Sequence, residues 1–227
     1  NPEEFDKTIR KVKSQLPGIL SDKTIPVVSV YRGRRFDRRL KNWFGDTTQI
    51  EDLWLPYFCV TSNLTRAEIY VHDTGPLWWA VRASGTLPGI TTPVVHDQQL
   101  LFDGCLLDNL PMDVMRERMY ESHVVAVDVV PEHDLKVEVS CPVQSPAGWW
   151  LLLNKLNPFA KTYDLPNIFS ILQRAGELGS VYGRKQLKEG NYADLYLEPS
   201  VAEIRIADFK QLDHSEKLGY DDCGKEL

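Results

Sequence analysis

Apolar residues recur at helical spacing over residues 3–16, where Phe5, Ile9, Val12 and Leu16 line one side. That spacing predicts an amphipathic helix, stopped by Pro17-Gly18. Residues 36–44 carry the pattern again: Phe36, Leu40, Trp43 and Phe44 share a face, and Arg38, Arg39 and Lys41 point elsewhere. The stretches 56–61 (PYFCVT) and 67–71 (AEIYV) are aromatic and β-branched, which predicts two strands. Residues 77–83 (LWWAVRA) predict a short helix that packs Trp78 and Trp79 into the core, and 84–89 predict loop. A short apolar strand over 100–102 runs into Asp103-Gly104. Pro111 opens another helix, with Met112, Met115 and Met119 as a core-facing stripe.

Residues 123–130 (HVVAVDVV) are nearly continuous Val and Ala. A strand buried on both faces of a parallel sheet reads this way. Residues 166–189 predict a long helix despite three glycines, and 192–197 (YADLYL) alternate like a last strand. Strands therefore alternate with helices, which predicts an α/β fold with helices on both faces of the sheet. No repeat and no Gly/Ser/Pro linker divides the chain.

Composition narrows the classes. The 227 residues include 26 Lys and Arg against 32 Asp and Glu, a net charge of −6, with 43% hydrophobic residues, which excludes collagen, coiled coil and disorder. The charge is uneven. Residues 1–44 hold 11 basic and 5 acidic side chains, so the remainder holds 15 and 27. An acidic bulk argues against nucleic acid as a partner. The positive charge concentrates at Arg32, Arg34, Arg35, Arg38, Arg39 and Lys41. This basic segment is either a solvated face or a contact for anionic lipid headgroups. Trp149-Trp150 and the leucines after them are either a core helix or a lip at a lipid interface, where Trp is favoured.

No apolar run reaches the roughly 20 residues of a membrane span. Cys59, Cys105, Cys141 and Cys223 lie far apart without a CxxC pair, which reads as reduced thiols in a reducing compartment rather than a zinc site. His72 and His96 read as surface loop histidines, and Asn63-Leu64-Thr65 as a chance glycosylation sequon. The localisation expected is cytoplasmic, peripheral on a membrane's cytosolic face.

The segment with chemistry is 101–111, LFDGCLLDNLP. Its carboxylate follows an apolar strand and precedes a glycine. Ligands and catalytic groups gather at strand carboxyl ends in open α/β sheets. Asp103 is therefore a candidate general base, while Asp-Gly is also a common turn pair.

The run 81–111, VRASGTLPGITTPVVHDQQLLFDGCLLDNLP, resembles the patatin-like phospholipase domain, in which an Arg-Ala-Ser turn precedes a strand ending in Asp-Gly-Gly or Asp-Gly-Ala. The blocks 50–65 (IEDLWLPYFCVTSNLT) and 148–160 (GWWLLLNKLNPFA) are similar to the neuropathy target esterase branch of lysophospholipases. The resemblance extends from about residue 25 to residue 192. It implies a three-layer α/β/α sandwich of the patatin type, and hydrolysis of a fatty acyl ester of a lysophospholipid or phospholipid by a serine–aspartate dyad. No cofactor or metal is implied. Only the aspartate carries over, onto Asp103, with Gly104 as the supporting turn glycine. Arg34, Arg35, Arg38, Arg39, Trp149 and Trp150 are the candidate membrane contacts.

The sequence departs from that pattern. No serine here stands in Gly-x-Ser-x-Gly, and no glycine-rich oxyanion loop is present. Both lie upstream of the matching block in the family. Residues 1–227 are therefore expected to be the C-terminal portion of the domain, without its first strands, unstable and inactive alone. Cys105 replaces the usual Gly or Ala, and sits too near Asp103 along the strand to face the same way. Ser84 belongs to a structural turn. A catalytically inactive module that binds a membrane or a protein partner is the competing expectation.

Overall fold

The computed structural model describes residues 7, 10–12, 14–15, 18–19, 21–119, 122–129, 147–149, 168–201 and 211–226. The chain divides into two compact units, Asn1–Val130 with Glu177–Leu227, and Pro131–Gly176. The helix expected at 3–16 falls largely outside the described residues, as does Trp150.

In the first unit, helix α1 (Arg34–Phe44) is followed by strands β1 (Cys59–Asn63) and β2 (Glu68–His72). Helix α2 (Leu77–Ser84), strands β3 (Val94–His96) and β4 (Gln99–Asp103), and helix α3 (Met112–Arg118) come next. The order continues with β5 (Val125–Val127), α4 (Ile168–Glu189), β6 (Leu195–Leu197) and α5 (Leu212–Glu226). The second unit's described residues are 147–149 and the start of α4.

The fold is α/β. Strands β2-β1-β4-β3 make an antiparallel sheet, and β5-β6 make a parallel pair. Parallel neighbours need a long crossover, and α4 lies within the one that joins β5 to β6.

Strand β1 is central and carries polar side chains into the interior: Thr61, Ser62 and Asn63 are all buried. Each has a partner. Thr61 Oγ1 meets His72 Nε2 at 2.9 Å, Ser62 Oγ donates to the Gly104 carbonyl, and Asn63 Nδ2 donates to Gln99 Oε1. Asn63 Oδ1 accepts the amides of Thr65 and Arg66, which bends the chain into β2. A buried, fully engaged Asn63 is no glycan acceptor, in keeping with a chance sequon.

Several expectations change. The first strand starts at Cys59 rather than at residue 56, because its pairing with β2 begins at Cys59 opposite His72. His72 ends β2 and is 3% exposed, so it is not a surface loop histidine. Its ring packs on Tyr70 and Trp79, and Trp79 also meets His96, which sits in β3. Of the methionine stripe, Met112 is buried but Met115 is exposed. Strand β5 has one buried side only: Val124, Ala126 and Asp128 are covered, whereas Val125, Val127 and Val129 are exposed.

Past the end of β5, Asp128 accepts Arg184 Nη1 at 2.8 Å and the Tyr196 hydroxyl at 2.6 Å. Both members of the ion pair are at most 8% exposed. Removing one charge of a buried pair strands the other, so Asp128→Ala is expected to cost about 3–5 kcal/mol in urea unfolding. Replacing the pair by Asp128→Leu with Arg184→Met is expected to recover most of that loss. An Asp128→Ala loss below about 1 kcal/mol would show the pair to be solvated.

Candidate active site

Asp103 is the last residue of β4, and one ladder pairing and two hydrogen bonds set its position. Across the ladder it stands opposite Thr61 of β1. Its amide leaves the ladder and donates to the Thr86 carbonyl at 2.8 Å, just beyond α2. Its Oδ1 accepts the Cys105 amide at 3.0 Å, closing a tight turn over Gly104–Leu106. Asp103 itself is half-buried.

Gly104 supplies room here rather than an unusual backbone. A Cβ at this position would meet Val60 Cγ2 at 2.8 Å and the Val60 carbonyl oxygen at 3.1 Å. Val60 is held in turn by Ser84, whose Oγ donates to its carbonyl at 2.9 Å. Ser84 therefore has a structural bond, as its turn position implies.

Burial pushes the Asp103 carboxyl up from its usual range, and the Cys105 amide and thiol bonds oppose this. A more basic carboxylate is better suited to accepting a hydroxyl proton near neutral pH. Cys105 does turn towards Asp103, contrary to the expectation from strand spacing, because the strand has ended and the next residues curl back. Burial and the Asp103 charge push the Cys105 thiol up to about 12. It is therefore protonated at neutral pH and no nucleophile.

Asp108, which the sequence reading did not single out, lies beyond the same turn. It is 7% exposed. Its Oδ1 accepts the Leu110 amide, while Oδ2 has no hydrogen-bond partner among the described residues. Burial first, then Asp113, pushes its carboxyl up to about 6. The neighbouring Asn109 amide donates to Ser180 Oγ of α4 at 3.0 Å.

The basic residues gather elsewhere. Arg35, Arg38 and Arg39 line a concavity with Gly18. Arg35 Nη1 donates to Ser21 Oγ, whereas Arg34, Arg38 and Arg39 have no carboxylate partner among the described residues. Just before α1, residues 25–28 (IPVV) are all exposed, with Val27 at 85%. Trp149, in the second unit, is 68% exposed and so is not a core residue. No helix among the described residues is long and apolar enough to cross a membrane.

Comparison with known proteins bears on this geometry. Residues 6–116 match the family described as patatin-like phospholipase. Mouse patatin-like phospholipase domain-containing protein 6 is 38% identical over 201 residues, covering 88% of this chain and 14% of its own. Lysophospholipase NTE1 of Meyerozyma guilliermondii is 35% identical over 217 residues, covering 94% and 14%. Neuropathy target esterase sws of Drosophila melanogaster is 34% identical over 203 residues, covering 88% and 14%. The chain thus spans about one seventh of the length of these curated relatives.

The Asp108 carboxyl gives a pH signature. The folded chain holds this proton more tightly than the unfolded chain. That contribution to stability is complete below about pH 3.8 and is lost as pH rises to about 6. Above that, a buried charge lacks a partner on one oxygen. Asp108→Asn is expected to raise the melting temperature at pH 7.5, by about 2–4 °C for each kcal/mol recovered. At pH 3.5 it is expected to leave the melt unchanged. Calorimetric scans at both pH values check this.

Proposed function

Residues 6–116 belong to the patatin-like phospholipase family, and on that premise we propose that the chain is part of a lipid acyl hydrolase whose general base is Asp103. The substrate class is a lysophospholipid or phospholipid acyl ester. One observation carries the reading: Asp103 is the terminal residue of a strand, half-buried and held by its own backbone, with a raised proton affinity. This sequence has no Gly-x-Ser-x-Gly. The proposal therefore assigns the nucleophilic serine and the oxyanion donors to residues outside these 227. Together the two parts would complete a three-layer α/β/α sandwich, of which 1–227 is the C-terminal portion.

In that arrangement Asp103 takes the serine hydroxyl proton as the Oγ–acyl carbon bond forms. The alcohol of the lipid leaves with the proton from Asp103, and the acyl group stays on serine. Water then gives its proton to Asp103 while attacking the acyl carbon, and the proton returns to serine as the fatty acid departs. Backbone N–H groups facing the carbonyl oxygen stabilise the charge that develops on it. Asp103→Asn cannot accept the proton. In the full-length protein it is expected to lower kcat for palmitoyl lysophosphatidylcholine by about 10²- to 10⁴-fold. An unchanged rate would remove Asp103 from the mechanism.

The basic helix supplies the membrane side of the same reading. Arg34, Arg35, Arg38 and Arg39 on α1 would meet anionic headgroups at the cytosolic face, and the apolar 25–28 segment would meet the acyl boundary; Trp149 would be a membrane contact of its own unit. Each basic side chain near such a surface contributes about 1 kcal/mol. Reversing all four arginines to Glu is expected to weaken binding to phosphatidylserine vesicles by about 10²- to 10³-fold in co-sedimentation. Binding that ignores both this change and added salt would rule the patch out. The Cys105 thiol beside Asp103 favours one alternative, an inactive lipid-binding module. Vesicle binding with no hydrolysis by the full-length protein is its signature.

A further inference from the structure

Arg82 is a cation almost wholly withdrawn from water, 4% exposed. Burying a guanidinium is costly unless its donors are engaged, and here they are spread over three partners. Nε donates to Asp37 Oδ1 of α1 at 2.6 Å, Nη1 donates to Thr86 Oγ1, and Nη2 donates to the Thr92 carbonyl at 3.2 Å. The Phe36 ring lies against the guanidinium, with its centroid 5.6 Å away. A niche is kept for this head group at Gly33. That residue adopts a left-handed φ of 79°, and a Cβ there would collide with Arg82 Nη2.

Thr86 is the link from this cation to the base. It is fully buried. Its hydroxyl accepts from Arg82 and donates to the Arg82 carbonyl at 2.8 Å. Its carbonyl accepts the Asp103 amide at 2.8 Å. The Arg82 fork therefore fixes the residue whose backbone fixes Asp103. Its charge is balanced by Asp37, so what it transmits is position.

Resting on the reading of Asp103 as the general base, we propose that Arg82 is a positioning residue for it, acting through Thr86. Asp37 of α1 completes the clamp. The forked geometry matters because a lysine ammonium cannot reproduce three donors in one plane.

The test uses the full-length protein with palmitoyl lysophosphatidylcholine, each variant assayed well below its own melting midpoint. Thr86→Val keeps the shape and loses the hydroxyl. It is expected to lower kcat about 10- to 100-fold, since a displacement near 1 Å can cost 10²-fold, with KM within about twofold. Thr86→Ser keeps the hydroxyl and is expected to restore kcat to within about threefold of the parent. Arg82→Lys is expected to behave like Thr86→Val, and it carries the test if Thr86→Val does not fold. A purely structural role would lower the melting midpoint of these variants and leave kcat intact, and that result overturns the proposal. Asp103→Asn is run alongside. If it is inactive while Thr86→Val and Arg82→Lys keep full kcat, only the positioning role is overturned. If it is fully active, the base assignment fails and the positioning role fails with it.

Discussion

One amide hydrogen bond, from Asp103 to the Thr86 carbonyl, decides where strand β4 ends. On one side Asp103 is still in register with Thr61 of β1. On the other, β3 pairs β4 only as far as Leu101, so the next acceptor comes from a helix end instead of a strand. The chain can then turn at once, because Gly104 fits flush against Val60 where any side chain would not. A carboxylate placed this way is aimed by main-chain atoms, whose freedom is far smaller than that of a side-chain tether. The polar interior of β1 follows from the same arrangement. Ser62 reaches the Gly104 carbonyl, and Thr61 reaches His72. A slip of one residue in the pairing would exchange the two faces of β1 and leave these groups unsatisfied, at about 1–3 kcal/mol each. The register is therefore specified by side-chain partners as well as by apolar pattern.

Much of this was legible in the sequence where a local signal was strong. The helix over Arg34–Phe44, the strand running into Asp103 and the turn at Gly104 all follow from periodicity and from the Asp-Gly pair. The hairpin of β3 and β4 was not legible. Its turn residues, Asp97 and Gln98, both take positive φ without a glycine to announce it. The burial of His72 was hidden for a different reason. Its partner Thr61 lies eleven residues earlier on the neighbouring strand, and no spacing rule connects them. Helix α5 carries too weak an apolar stripe to stand out among its charged residues. The Val-rich run at 123–130 suggested two covered faces, because composition alone does not separate the sides of a strand.

The chemistry divided in the same way. Asp103 stood out as a candidate because its neighbours in sequence define its turn and because the family resemblance places an aspartate there. Arg82 and Thr86 lay in full view within the 81–111 segment, yet nothing local marks them as one clamp. That link exists only once Asp37 arrives from another helix and Gly33 leaves space for the guanidinium. Residues that act through backbone contacts are the hardest to read from a sequence, since their partners are atoms every residue has.

The niche at Gly33 has an evolutionary consequence. Gly33 and Arg82 are far apart in the chain but form a matched pair, because a Cβ at 33 would collide with the head group at 82. The two positions are therefore epistatic. While arginine is at 82, position 33 is closed to substitution. Loss of Arg82 would remove that collision, yet the left-handed φ of 79° at 33 would still favour glycine. The coupling therefore runs one way: a change at 82 leaves the backbone at 33 unharmed, whereas a change at 33 disturbs both its own backbone and the clamp.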